Sequence, residues 1–152
     1  MKDNIENTLK AILDKHEANE EAAKQAENKR LNEENEFLAA FLQKRGGVVQ
    51  PAMEEIGRWI EERGHRYQIA TQEDGHRGNG NALIRFSLVV PHEDLPYLAV
   101  ICDKSGQCIR FHESTVVEDS GHAGSVGEVS LEELTSDRVQ EAVVKMLAQV
   151  LG

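Results

Sequence analysis

Two cysteines and a histidine lie near one another in the second half of the sequence, where they could bind a metal or take part in catalysis. Cys102 and Cys108 flank the turn-forming segment Asp103–Gly106, so a hairpin would place both thiols on one sheet face, with His112 beside them. Thiolates and imidazoles are usual zinc ligands, but structural zinc normally takes four ligands from two closely spaced pairs. The sequence has no second pair, so we expect two reduced thiols and no metal.

Two glycine-rich segments invite comparison with phosphate-binding loops. Segment 74–80 joins two predicted strands, so it lacks the helix N-terminus on which such a loop depends. Segment 121–127 lies between a predicted strand and a predicted helix, and its amides could face an anion. It has no Walker lysine, however, and the nearby carboxylates of Glu118, Asp119 and Glu128 disfavour phosphate. We expect neither segment to bind a cofactor.

The remaining candidates for catalysis form no recognisable motif. The six histidines are scattered without the HxxxH, HxH or HExxH spacing of metal sites, and no serine stands in a GxSxG setting. We therefore predict no catalytic residue, no cofactor and a protein that is not an enzyme. The alternative is a small hydrolase or metal-binding enzyme that uses Cys102, Cys108 and His112.

The elements that carry these residues divide at Gly46-Gly47. Residues 1–45 contain no glycine or proline and are rich in charge, which predicts one long helix that ends at the two glycines. A helix of roughly 40 residues spans about 60 Å, longer than so small a domain is wide. Part of it must therefore be solvated or packed on another chain.

One stripe of this helix is apolar only at its two ends. Near its start, Ile5, Leu9, Ile12 and Leu13 form an apolar tip, and the middle of the stripe is polar and rich in alanine. An apolar tip that its own domain does not cover is typical of an interaction site. We therefore predict that residues 1–45 form an oligomerisation arm and that the protein is a homo-oligomer, most simply a dimer.

Residues 46–152 read as a compact α+β domain. Alternating apolar residues predict strands at about 66–72, 82–90, 97–103 and 107–117. Helical periodicity predicts a second helix that begins near Pro51 and a final helix that contains Leu147. The predicted fold class is α+β: a long N-terminal helix, then a four-stranded antiparallel sheet with two helices on one face.

The predicted strands have one apolar and one mixed face. The same alternation places Ala99, Ile101, Ile109 and Phe111 on the face that the helices cover. The mixed outer face is the predicted binding surface for another protein, and its residues are Leu83, Arg85, Val89, Leu98, Val100, Arg110 and His112.

Charge and hydropathy limit the other partners. The net charge is −10, and residues 46–152 hold nine Lys and Arg against 17 Asp and Glu, so this domain would repel a phosphate backbone. No apolar run approaches the roughly 18 residues of a membrane span. The N-terminus lacks the apolar core of a secretion signal, which favours a cytoplasmic location with reduced thiols. We expect neither nucleic acid nor membrane as a partner.

Together these patterns predict a non-enzymatic, self-associating module that binds another protein of unknown identity. Its small size and acidity also fit a chaperone or adaptor, although no motif identifies one.

Overall fold

The computed structural model describes residues 2–152 in two compact units, residues 2–36 and residues 37–152. The elements are helices α1 (Lys2–Lys44), α2 (Gln50–Glu61) and α3 (Ser136–Leu151), and strands β1 (Arg66–Gln72), β2 (Leu83–Val89), β3 (Tyr97–Asp103), β4 (Cys108–Ser114) and β5 (Ala123–Val129). The predicted α+β class and the antiparallel sheet are confirmed. The predicted numbers of strands and helices are wrong.

The first correction concerns the predicted helix end at Gly46-Gly47. A π-helical turn, Arg45–Val49, connects α1 to α2, so the chain is helical without a break for 60 residues. The Gln50 amide donates to the Arg45 carbonyl, and Lys44, Val49 and Gln50 all have right-handed helical dihedral angles. The predicted second helix is therefore a continuation of the first, and α3 is the one further helix.

The π turn has a local explanation in Pro51, which lies in the first turn of α2. Proline has no amide proton, and its ring crowds the carbonyl four residues earlier, which here belongs to Gly47. A π turn widens the helix locally, which gives the chain room to pass such an obstacle. Gly46 and Gly47 do not adopt the positive φ angles that would end the helix.

The second correction concerns the sheet, which has five antiparallel strands in the order β1-β2-β3-β4-β5 rather than four. The additional strand, β5, pairs with β4 from Ile109↔Val129 to Ser114↔Ala123, with a register shift between Phe111 and His112. Segment 121–127 mostly falls in this strand. It therefore does not form the strand-to-helix loop that an anion site would need.

The core of residues 37–152 lies between the inner sheet face and the helices. The helical side chains in it include Phe41, Met53, Val139 and Met146, and the last three turns of α1 also contribute Phe37. The strands contribute alternate residues: Ile84, Phe86, Leu88, Leu98, Val100, Cys102, Ile109 and Phe111.

The residues of β3 that face the core are the alternate set to the one predicted. Leu98 pairs with Phe86, and Val100 pairs with Ile84, so both β3 residues share the inner face with these core side chains. Leu98 and Val100 are fully buried. Their predicted place on the outer face is therefore wrong, and Ala99 and Ile101 occupy that face instead.

Candidate binding surfaces

The apolar tip of α1 is exposed along its full length. The exposed fractions are 69% for Ile5, 54% for Leu9, 58% for Ile12 and 48% for Leu13. Every residue from Lys2 to Glu33 is exposed. Spacings of three and four residues place the tip side chains along one side of the helix. Such a stripe can pack against an apolar stripe of another helix or against a groove.

The outer sheet face presents its side chains in rows that cross the strands. One row, defined by the pairing register, contains Gln68, Ser87, Tyr97 and Ser114, one residue from each of the first four strands. The adjacent row contains Ala70, Arg85, Ala99, His112 and Ser125. Small side chains therefore alternate with large polar ones, which leaves depressions on this face.

Tyr97 organises the middle of the outer face. The Arg85 guanidinium carbon lies 5.3 Å from the centre of the Tyr97 ring, and the His112 ring stacks on Tyr97 with centroids 6.1 Å apart. The first contact is a cation–π interaction, which holds a guanidinium in place without neutralising its charge. Among residues 2–152, the Arg85 side chain forms no ion pair and no hydrogen bond.

Two cavities lie beside Arg85 on the outer face. The larger, of about 480 Å³, has Gln68, Ser87 and Ser114 from the polar row in its lining, together with Glu93 and Asp94 from the β2–β3 loop. The second, of about 320 Å³, is bounded by the ends of β1 and β2 and by His76. Arg85 is exposed and is the one residue that lines both of these cavities.

The predicted partner-binding residues are now divided between the two faces. Leu83, Arg85, Val89, Arg110 and His112 lie on the outer face, where they remain candidates for binding. Leu98 and Val100 lie in the core and cannot contact a partner without unfolding.

Arg110 differs from Arg85 in its electrostatic environment. Its guanidinium forms an ion pair with the Asp103 carboxylate at 2.7 Å. The Gly106 amide, the main cause, and then Arg110 hold the pKa of Asp103 below its ordinary value. The charge of Arg110 is therefore already balanced, whereas that of Arg85 is available for a ligand.

The predicted cluster of Cys102, Cys108 and His112 does not form. Cys102 pairs with Ile109 on the inner face, whereas Cys108 pairs with Asp103 and lies on the outer face. The prediction that both thiols share one face is wrong because the phase of β3 is shifted by one residue. Within residues 2–152, no three His, Cys, Asp or Glu side chains are grouped closely enough to hold a metal ion.

The thiols are also in environments that keep them protonated. Burial, and then the nearby charge of Asp74, raises the pKa of Cys102 to about 12. Burial, followed by the charge of Asp103, raises the pKa of Cys108. Because the thiolate is the form that attacks electrophiles and binds metals, neither cysteine is activated for such chemistry.

The sequence analysis missed a hydrogen-bonded network at the end of the inner face. Residue Glu113 is 1% exposed, and its Oε1 atom accepts hydrogen bonds from His122 Nε2 at 2.9 Å and Gln149 Nε2 at 3.1 Å. The Thr115 hydroxyl oxygen lies 3.2 Å from His122 Nδ1 and accepts a hydrogen bond from the His122 backbone amide. A hydroxyl, an imidazole and a carboxylate in series resemble a hydrolase triad.

The surroundings of Thr115 favour a structural role for this network. Thr115 is buried and is tied to His122 by backbone as well as side-chain contacts. Its hydroxyl therefore links β4 to the loop before β5. A sequence signal for the network did exist, since Glu113 continues the inward phase of Ile109 and Phe111.

The comparisons with known proteins give no family for this chain. No protein-family model, curated protein or solved structure matches it significantly. Among residues 2–152, no helix combines the length and the apolar character required to cross a bilayer.

Proposed function

We propose that the protein is a non-enzymatic module that self-associates through the α1 tip and binds another protein through the outer sheet face. The exposed tip carries this proposal. Four large apolar side chains of one helix face water, and their transfer to an interface would contribute about 25 cal/mol for each Å² of apolar surface buried. Isolated exposed leucines are ordinary, but a contiguous apolar stripe marks a contact site.

The outer sheet face supports the protein-binding part of the proposal. It combines an arginine without an ion-pair partner, a tyrosine and half-buried aliphatic side chains such as Leu83 and Val89. Arginine and tyrosine are enriched at the energetic centres of protein interfaces. A small, acidic chaperone or adaptor that dimerises through its helix and holds a client on its sheet fits both surfaces.

The proposal is tested by sedimentation equilibrium at micromolar concentration. A triple variant, Ile5→Ser, Leu9→Ser and Ile12→Ser, removes the apolar stripe, and we expect it to be monomeric whereas the unaltered chain is at least a dimer. A matched control carries three serines on the opposite side of the same helix segment, Asn7→Ser, Asp14→Ser and Ala18→Ser. These positions are exposed, so the control should associate like the unaltered chain.

Two results would reject self-association through the tip. The first is a monomeric unaltered chain, and the second is equal loss of association in both serine variants. Circular dichroism of the two variants shows whether they lose the same amount of helix. That measurement separates the loss of a contact from the loss of the helix that carries it.

A further inference from the structure

The larger outer-face cavity contains polar groups that the rest of the chain leaves without partners. Ser87 is 7% exposed, yet its hydroxyl forms no hydrogen bond within residues 2–152. The Gln68 amide and the Arg85 guanidinium likewise form none there. Gln68 and Arg85 are exposed, and no fully buried side-chain atom of the described residues lacks a partner, so the Ser87 hydroxyl must be accessible as well. They are available to a ligand.

The cavity also separates opposite charges. Arg85 belongs to strand β2, whereas Glu93 and Asp94, which we call the rim residues, belong to the β2–β3 loop, and all three line the cavity. Neither carboxylate forms an ion pair with Arg85 or with any other described residue. A ligand that satisfies both ends must carry an anionic group and a cationic group.

We propose that this cavity binds the free C-terminal carboxylate of a peptide that has a lysine or arginine at or next to its terminus. The proposal rests on the protein-binding function proposed above and specifies the chemistry of the partner. Arg85 takes the carboxylate, with Gln68 and Ser87 as additional donors. Glu93 and Asp94 take the basic side chain.

The geometry of Arg85 suits a carboxylate. A guanidinium offers parallel N–H donors that match the two oxygens of a carboxylate, and hydrogen bonds to charged groups are stronger than neutral ones. The contact with Tyr97 restricts the guanidinium before a ligand arrives, which lowers the entropy lost on binding. Gln68 and Ser87 are direct cross-strand neighbours, so their donors lie side by side.

The cavity size agrees with a short peptide segment. Ligand pockets commonly have volumes of 300–1,000 Å³, and this cavity of about 480 Å³ is within that range. Its lining is predominantly polar, with Leu95 and Val116 as aliphatic exceptions. A terminal residue with its carboxylate and one long basic side chain matches that mixture better than an apolar ligand does.

The experiment titrates the full chain with N-acetylated hexapeptides and follows binding by isothermal titration calorimetry. The first probe ends in lysine with a free carboxylate, the second is its C-terminal amide, and the third replaces lysine by norleucine. We expect the amide to bind about tenfold or more weakly because it loses a charge-assisted hydrogen bond. The norleucine peptide should also bind more weakly, since it cannot pair with the rim carboxylates. The same six residues fused to the end of a carrier protein show whether a protein terminus binds as the free peptide does.

Variants assign the binding to the cavity. Arg85→Gln should weaken the binding of the free-carboxylate peptide about tenfold. It should also remove the difference in affinity between the acid and the amide peptides. Arg58→Gln is the control because it removes an exposed arginine of α2 that does not line the cavity, and it should leave the affinity unchanged. Replacing both rim residues, Glu93→Gln and Asp94→Asn, should make the lysine and norleucine peptides equivalent.

Three results would overturn the proposal: no binding at millimolar peptide, equal binding of acid and amide, or equal losses of affinity for Arg85→Gln and Arg58→Gln. The tip proposal is judged separately, because the same Arg85→Gln sample should sediment like the unaltered chain. A chain that dimerises but ignores the peptides refutes only the carboxylate site. A monomeric chain that binds the peptides refutes only self-association.

Discussion

At the scale of single residues, the Glu113 network makes the sharpest prediction. Removing the imidazole by His122→Ala leaves a buried carboxylate with Gln149 as its remaining side-chain donor. A buried group that loses a hydrogen-bond partner typically costs about 1–3 kcal/mol of stability. We expect His122→Ala to lower the free energy of unfolding in urea by that amount.

The control is His65→Ala, which removes an exposed imidazole and should change the free energy of unfolding by less than about 0.5 kcal/mol. A second variant, Glu113→Gln, removes the charge that His122 satisfies. If the network is structural, His122→Ala should cost less in the Glu113→Gln background than alone. Equal costs in both backgrounds would show that the two side chains do not interact.

The residue scale also shows why part of the candidate site escaped sequence analysis. From Tyr97 to Cys102 every residue of β3 is apolar or aromatic, so alternation cannot tell which phase faces the core. In β2 and β4, by contrast, an arginine lies among the apolar residues: Arg85 in β2 and Arg110 in β4. Each arginine shows which set of alternate residues faces outward. The outer-face positions of Arg85 and His112 were predictable for that reason, whereas those of Leu98, Val100 and Cys102 were not.

At the scale of elements, two glycines in the long helical run should respond in opposite directions to substitution by alanine. A Cβ atom on Gly57 would lie 2.3 Å from the Tyr67 ring, which is itself stacked on Phe86 with centroids 5.4 Å apart. Gly57→Ala should therefore destabilise the protein by about 1–3 kcal/mol through overpacking, despite the better helix propensity of alanine.

Gly47→Ala is the matched substitution in open space. Apart from the adjacent residues and the nearby backbone of its own helix, no atom lies within 4 Å of a Cβ built there, and Gly47 has no positive φ. If the helix continues through this residue, alanine should stabilise it by up to about 1 kcal/mol. Thermal unfolding of both variants measures the difference, and a destabilised Gly47→Ala would indicate that the helix ends where the sequence pattern suggested.

The same elements show what local pattern can and cannot reveal. Two adjacent glycines usually stop a helix, but here the residues on either side continue the helical dihedral angles, because packing of α2 on the sheet outweighs a weak local preference. Strand β5 gave no signal because Gly124, Ser125 and Gly127 have low strand propensity. Its pairing with β4 is a tertiary interaction that no short sequence window contains.

At the scale of the whole molecule, the two compact units predict which part of the chain is dispensable. Deleting residues 1–35 removes the buried Glu34 but no side chain of the hydrophobic core, and it retains Phe37 and Phe41, both of which belong to that core. We expect residues 36–152 to remain folded, with a modest loss of thermal stability, and to be monomeric by sedimentation. Circular dichroism and thermal unfolding measure the first two outcomes.

A core substitution in the shortened chain provides a reference loss of stability, against which the effect of the deletion can be compared. Leu147 is 7% exposed, and Leu147→Ala should cost about 2–5 kcal/mol of unfolding free energy. Because a small domain has only about 5–15 kcal/mol in total, this loss should be far larger than that caused by the deletion. If the deletion instead unfolds the protein, residues 2–35 contribute to the stability of the core. The apolar residues of the tip would then serve the stability of the fold rather than self-association.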